Sequence, residues 1–275
     1  MKWRQFFTPA QSLDINEAEK LISEHSAEEI NIIDVRQPSE YEKGHIPGAW
    51  LIPLPDLPGR MDELDSEMPS LVYCAIGGRS RVAVQMLDEE GYKAFNLSGG
   101  IKAWTSKTAV GPQDLGIHLF KGSQSPAEIL NIAFSLEQGL ENFYILLEKN
   151  AKNKKVKDLF SKLSRIEIQH QHAIHKAYNQ MRSDPVDWET FKTQGESQII
   201  EGGLSSEEYI ALFNPDLNSE VEVISLAMSI EAQAIDLYHR ALRQTKTPEA
   251  KKIIQNIADE EKEHIKSLGR LMDSL

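Results

Sequence analysis

The residues best suited to chemistry form two groups along the chain. The first contains the only cysteine, Cys74, which ends an apolar run and precedes Ala-Ile-Gly-Gly-Arg-Ser. The second is a set of acids and histidines beyond residue 124: Glu137, Glu167, His170, Glu231, Glu261 and His264. A thiolate is a nucleophile, and carboxylates and imidazoles bind divalent metals. The sequence therefore predicts one nucleophile and one metal centre.

The Cys74 loop has features that favour a thiolate. It joins a β-branched run to a predicted helix at Ser80–Glu90, so the sulfur meets backbone N–H groups and the positive end of a helix dipole. Arg79 adds a full charge, and the glycines let the loop curl around the sulfur. The residues predicted to present stabilising amides are Ala75, Ile76, Gly77, Gly78 and Ser80. Taken alone, an inert buried cysteine at a strand end is the commoner alternative.

The acids and histidines lie on apolar stripes of predicted helices. Each helix repeats apolar residues at spacings of three and four, and each acid occupies the face that must be buried. A constant offset of 94 residues relates Glu137 to Glu231, Glu167 to Glu261 and His170 to His264. This offset predicts a duplicated helix pair whose two copies pack together.

Burying four carboxylates needs compensating charge. An unpaired buried carboxylate costs several kcal/mol, and no Lys or Arg lies on these stripes. Two divalent cations would balance four carboxylates, with the imidazoles as neutral ligands, and di-iron and di-manganese bundles have this ligand pattern. Tyr144 and Tyr238 lie two turns from their glutamates and either bond to a ligand carboxylate or are ordinary core tyrosines. Two further readings stay open: a solvated face, as predicted for Glu260 and Glu263, or protonated glutamates without metal.

The surrounding elements predict two domains. In residues 1–106, short runs at 30–35, 70–75 and 94–97 alternate with helix, which indicates a parallel α/β sheet. Residues 107–124 lose periodicity and read as a linker. In residues 125–275, helices are predicted at 126–151, 154–181, 220–244 and 248–273, with a short helix after Ser205. Four long helices with one long crossover form a ferritin-like bundle.

Composition excludes several classes of protein. Lys and Arg number 30 against 42 Asp and Glu, and acids outnumber bases on both sides of residue 106. We therefore expect no nucleic-acid partner and no membrane association. We also expect neither a signal peptide nor a spanning helix. One cysteine excludes an internal disulfide and fits a reducing cytoplasm.

Residues 12–104 resemble the rhodanese family along their length. The matching segments are Asp34-Val35-Arg36, Glu40-Tyr41, Gly44–Ala49, Cys74–Ser80, and Leu97–Ile101 with Trp104. The resemblance implies a persulfide-forming Cys74, and a scaffold role for Asp34, Arg36 and His45. Four residues separate Cys74 from Arg79, the loop length that in this family suits sulfur rather than phosphate. Arg79 either contacts an anionic donor or braces the loop. Implied partners are a small sulfur donor and a thiol or cyanide acceptor.

Residues 125–273 look like the rubrerythrin branch of the ferritin-like superfamily. The six acids and histidines match its ligand pattern, which implies two non-haem iron ions, with manganese or zinc as alternatives, and neither haem nor nucleotide. There are two departures. Rubrerythrins usually carry another glutamate on the third helix, where this chain has Ala227, Met228, Ala234 and Ile235. They also usually carry a four-cysteine rubredoxin module, which one cysteine cannot supply.

The expected function is therefore sulfur transfer at Cys74 together with reduction of peroxide or oxygen at a di-iron centre. Without rubredoxin cysteines, the electrons must come from an external donor or from the first domain. The resemblance also implies a homodimer. The alternative is a bundle that stores, senses or oxidises iron, with the first domain acting as a sulfur carrier or docking module.

Overall fold

The computed structural model describes residues 10–193 and 199–275. Residues 1–9 lie outside this range, and the expectation of no signal peptide concerns these residues in part. The chain divides into two compact units, Met1–Gln113 and Asp114–Leu275. The boundary between the units falls inside the predicted linker, residues 107–124, so each unit contains part of it. Ala109 pairs with His45 in the first unit, and a 3₁₀ turn at Ile117–Leu119 belongs to the second.

The first unit is built on a five-stranded parallel sheet of order β1-β5-β4-β2-β3. Its strands are β1 (Ser12–Leu13), β2 (Asn31–Asp34), β3 (Trp50–Leu51), β4 (Ser70–Tyr73) and β5 (Ala94–Leu97). The helices are α1 (Ile15–Ser23), α2 (Pro38–Tyr41) and α3 (Gly78–Glu89). The predicted parallel α/β fold is confirmed. The pattern missed β1 and β3, which are two residues each and too short for a periodic signal.

The central strands place the cysteine at the carboxyl edge of the sheet. Every residue of β2 and β4 is buried, as expected where helices cover both faces of a parallel sheet. Cys74 directly follows β4, and α3 begins four residues later. Nearby, Arg36 binds Asp34 in a buried ion pair of 2.6 Å, and His45 stacks on Tyr41. These contacts fit the scaffold role predicted for Asp34, Arg36 and His45.

The second unit is a four-helix bundle, as predicted. Its long helices are α4 (Pro126–Asn150), α5 (Lys154–Gln180), α8 (Glu220–Gln244) and α9 (Pro248–Asp273). Ser125 and Glu128 form the predicted capping box at the start of α4, with Pro126 at the first helical position. Ser219 accepts from the Glu222 N–H at the start of α8. No described helix combines the length and apolarity needed to cross a membrane.

The two helix pairs pack as copies of one hairpin. Three residues join α4 to α5, and three join α8 to α9. The pairs meet through contacts of α4 with α9 and of α5 with α8. Repeat-related serines make the same bond, because Ser135 and Ser229 each donate to the carbonyl four residues earlier at 2.9 Å. Serines that lie 94 positions apart in the sequence therefore make equivalent hydrogen bonds in the two helix pairs.

The long crossover from α5 to α8 contains two short helices, α6 (Trp188–Lys192) and α7 (Ser206–Phe213). The predicted helix after Ser205 is confirmed, because a capping box of Ser205 and Glu208 starts α7. Just before it, a tight turn is closed by the Ile200 N–H, which donates to the Leu204 carbonyl at 2.9 Å. This turn, Ile200–Leu204, lies over the bundle and packs on α8 and α4.

Candidate functional site

The Cys74 sulfur is surrounded by donors of its own loop. The Gly77 N–H donates to Sγ at 3.1 Å, and the Ser80 hydroxyl lies 3.5 Å from it. Gly77 has φ of 96°, a left-handed conformation that favours glycine and directs its N–H inward. Cys74 is only 1% exposed. The loop therefore holds one anionic sulfur against several amides at the start of α3.

The surroundings lower the pKa of Cys74. Burial opposes the thiolate, but the Ser80 hydroxyl and the N–H groups of Ile76, Gly77 and Ser80 outweigh it. The Ser80 hydroxyl also lies 2.6 Å from Asn96 Oδ1 and can donate its one proton to either acceptor. The side chain of Ile76 is 66% exposed, so it reaches solvent while its amide faces the sulfur.

Arg79 is held by Glu40. Its guanidinium donates to both carboxylate oxygens, at 2.6 and 2.7 Å. This hydrogen bonding lowers the pKa of Glu40 to about 2. Hydrogen bonding to Glu40 raises the pKa of Arg79, and the Cys74 sulfur contributes to the same shift. The sequence contains Glu40 in a matching segment but gives no signal of this pairing. The geometry favours the bracing role among the two alternatives for Arg79.

The six predicted metal ligands come together in the bundle core as two triads. One contains Glu137, Glu167 and His170, and the other contains their repeat mates Glu231, Glu261 and His264. Within each triad one ligand atom per residue lies within 4.8 Å of the others. His170 Nδ1 lies 3.0 Å from Glu167, and His264 Nδ1 lies 2.7 Å from Glu261. The two imidazoles stack in parallel with centroids 3.8 Å apart, so the triads face each other.

These side chains fit a pair of divalent cations. The four glutamates are at most 3% exposed. Oε2 of Glu137 and Oε2 of Glu231 accept no hydrogen bond from any described residue, which a bound cation would compensate. Carboxylate and imidazole donors in this ratio suit iron, manganese or zinc. The Glu/His groups could therefore hold metal.

Burying the four glutamates together creates a charge problem. Burial raises the pKa of Glu167 and of Glu261 well above the usual range. Burial also opposes the charged form of His170, but the neighbouring carboxylates of Glu137 and Glu167 raise its pKa to about 11. Without metal, then, protons neutralise part of the cluster. Metal binding must displace these protons.

A fifth carboxylate, Glu201, joins the cluster from the crossover. It is 1% exposed, and one of its oxygens lies within 4.8 Å of ligand atoms of Glu137 and Glu261. The third helix lacks the additional glutamate, as predicted, and this carboxylate comes instead from the crossover. Glu201 was not predicted because it lies in a turn without helical periodicity. The adjoining Gly202-Gly203 was the one signal of a close backbone approach.

The predicted tyrosines differ from each other. The Tyr238 hydroxyl donates to Glu201 Oε1 across 3.4 Å, a long bond. The Tyr144 hydroxyl is buried and has no hydrogen-bond partner among the described residues. Burial raises the pKa of both phenols well above the usual range. Tyr238 thus hydrogen-bonds to an acid of the cluster, though not to one of the six predicted ligands, and Tyr144 hydrogen-bonds to none among the described residues.

The remaining polar residues of the bundle that surround the site differ in exposure. His172 is exposed and stacks on Trp188. His175 is half-buried, and its Nε2 lies 2.8 Å from the Val186 carbonyl at the start of the crossover. Glu263 is exposed and paired with Lys266.

A cavity of about 280 Å³ between α5 and α9 leads to both triads, and its lining residues include Lys162, Ile166 and Ser267.

Two family models match the chain, one in each unit. Residues 128–272, more than half of the chain, match the rubrerythrin family model. The chain belongs to the rubrerythrin family. Residues 15–107 match the rhodanese-like domain model, so a rhodanese-like domain precedes the rubrerythrin bundle. The suspected fusion is confirmed.

Several related proteins match about a third of this chain each. YrkF of Bacillus subtilis, provisionally named a sulfur carrier protein, is 40% identical over 84 residues, which are 30% of this chain and 45% of YrkF. A sulfurtransferase of Allochromatium vinosum is 38% identical over 78 residues, 28% of this chain and 73% of that protein. A rhodanese-like protein of Staphylococcus aureus of known structure is 30% identical, with a TM-score of 0.34 and coverage of 36% of this chain and 97% of that one.

Proposed function

We propose that the rhodanese-like domain transfers sulfur through a persulfide on Cys74, and that the rubrerythrin bundle is a non-haem di-iron oxidoreductase that reduces peroxide. For the first activity, the main support is the Gly77 N–H donating to a buried sulfur with a lowered pKa. For the second, it is the pair of facing Glu/His triads with unsatisfied carboxylate oxygens.

The sulfur transfer has two steps. The Cys74 thiolate attacks the outer sulfur of a donor such as a persulfide or thiosulfate, and the donor's inner group leaves with the electron pair of the broken bond. A nucleophilic acceptor then attacks the outer sulfur of the Cys74 persulfide, and the thiolate is regenerated. Cyanide as acceptor yields thiocyanate. The amides of the loop stabilise the anionic sulfur in both steps, while Glu40 fixes Arg79 beside it.

The reactivity of Cys74 should depend on pH in a defined direction. Because the loop lowers its pKa, the thiolate fraction rises with pH and reaches its plateau below the range of an ordinary cysteine. Ser80→Ala removes one donor and should move the midpoint to higher pH. The rate of alkylation by iodoacetamide measures this directly, because the chain has one cysteine. Ser23→Ala, on α1, is the control and should leave the midpoint unchanged. A Ser80→Ala midpoint at or below that of the wild type would contradict this role of the hydroxyl.

In the bundle, two bound iron ions would supply the redox chemistry. The protein's part is to hold them with four glutamates and two histidines and to provide a small cavity between α5 and α9 that reaches the centre. A cavity of about 280 Å³ admits small oxidants. Since Cys74 is the only cysteine, no rubredoxin site is present, and we propose a thiol or another external donor as the source of electrons.

The two activities have separate tests. For the bundle, the protein loaded anaerobically with Fe²⁺ is mixed with hydrogen peroxide or with oxygen, and iron oxidation is followed by stopped-flow absorption. Fast oxidation specific to peroxide, with about two ions per chain, supports the peroxidase. Oxygen-driven uptake of many ions per chain would instead establish iron storage. For the first domain, thiocyanate formation from a persulfide or thiosulfate and cyanide is the assay.

A further inference from the structure

We infer that Glu201 is a fifth carboxylate ligand of the metal centre, supplied by the crossover turn Ile200–Leu204 rather than by a bundle helix. The inference rests on the proposed metal centre and adds a residue that the six-ligand pattern does not contain. It takes the place of the glutamate that is absent from the third helix.

The turn holds the Glu201 side chain inside the bundle. Besides the closing bond from Ile200 to Leu204, the Gly203 N–H donates to the Ile200 carbonyl at 3.1 Å. The buried Tyr209 hydroxyl donates to the Glu201 carbonyl at 2.6 Å. Glu201 lies near the apex of this closed turn, and the hydrogen bonds of the turn and of Tyr209 hold its backbone in place. A surface glutamate needs no such support.

Two glycines allow the turn to approach this closely. A Cβ at Gly139, in the middle of α4, would lie 2.7 Å from the Ile199 carbonyl oxygen. Gly202 has φ of 78°, and a Cβ there would overlap the Gln233 side chain and the Tyr209 hydroxyl. Any larger residue at either position would push the turn outward. The backbone is therefore built to place position 201 deep in the helical core.

The charge of Glu201 calls for a cation. Its oxygen joins those of Glu137 and Glu261, one acid from each copy of the helix pair, and all three are buried. Three carboxylates this close repel one another, and the long contact from Tyr238 offers only a weak donor. A divalent ion bound to Glu137 or Glu261 would lie within reach of Glu201 and relieve this repulsion.

Co²⁺ binding to the full chain tests the assignment. Glu201→Gln keeps the shape and removes the charge, and Glu207→Gln changes an exposed acid in the same crossover. We expect Glu201→Gln to lower the affinity for at least one ion by about 10-fold or more, and to change the Co²⁺ absorption bands, which report coordination number. Glu207→Gln should match the wild type in both. An unchanged isotherm and spectrum for Glu201→Gln would overturn the inference.

Thermal stability separates a ligand from a structural residue. Without metal, Glu201→Gln keeps the shape of a partly protonated cluster and should not lower the melting temperature, while the rise caused by Co²⁺ should become smaller. A purely structural glutamate would give a lower melting temperature without metal and an unchanged response to Co²⁺. If Glu167→Gln loses Co²⁺ and Glu201→Gln does not, the metal centre stands and only this inference fails. If the wild type binds no Co²⁺, both fail.

Discussion

Cys74→Ser is expected to reduce sulfur transfer to background, a loss of at least about 10³-fold in kcat, because a hydroxyl cannot form the persulfide that carries the sulfur. Serine is close in size to cysteine, and the site is buried among short loop contacts, so the fold should be retained. Thiocyanate production from a sulfur donor and cyanide is the measurement. Mass spectrometry of the donor-treated protein should show one added sulfur in the wild type and none in the variant.

Two controls make this result specific. Metal content and helical circular dichroism of Cys74→Ser should equal those of the wild type, because Cys74 lies in a different unit from the triads. Residual transfer well above background would show that another group carries the sulfur.

The variant also tests a link between the activities. Reduction of peroxide to two waters needs two electrons and two protons, which two thiols can provide by forming a disulfide. If these electrons pass through Cys74, thiol-dependent peroxide turnover should also be lost, and unchanged turnover would separate the two sites.

The second large effect is expected at the repeat-related glutamates Glu167 and Glu261. Replacing either by glutamine removes a buried charged ligand, and metal affinity should fall by at least about 100-fold, with fewer than two ions retained per chain. Each acid also bonds to the histidine of its own triad, at 3.0 and 2.7 Å, so its loss also releases a second ligand. Elemental analysis after dialysis against a fixed free metal concentration measures the change.

The matched control is Glu263→Gln. It lies on the same helix as Glu261, two positions away, but is exposed and paired with Lys266. It should bind metal like the wild type. Full occupancy in both Glu167→Gln and Glu261→Gln would refute this ligand set, and a wild type that binds no metal would favour a core of protonated, hydrogen-bonded acids.

Much of the fold was predictable because its signals are local. Capping residues such as Ser125 fix the start of a long helix, and the α8 and α9 boundaries agree with the prediction at both ends. The six triad residues were also predictable, since a buried stripe and a constant offset of 94 identify them without any tertiary information. The strands β1 and β3 were not, because two residues carry no period.

The unpredicted parts of the sites depend on contacts between distant segments. The Arg79–Glu40 pair joins residues 39 positions apart, and no spacing rule connects them. Glu201 enters the core because the adjoining Ile199 packs against Gly139 and the Tyr209 hydroxyl donates to the Glu201 carbonyl, contacts that only the folded crossover creates. A turn that donates a single side chain leaves no periodic trace in the sequence. Such residues become visible only when neighbouring helices are placed in space.

The crossover turn also has an electrochemical consequence. Four carboxylates balance two divalent ions, so a fifth would leave the centre with one net negative charge in a poorly solvated core. Extra negative charge stabilises the oxidised form of an iron pair over the reduced form and so lowers its reduction potential. Since Glu201 belongs to a connection that occurs once in the duplicated unit, its loss or gain would shift this potential while the four long helices stay as they are.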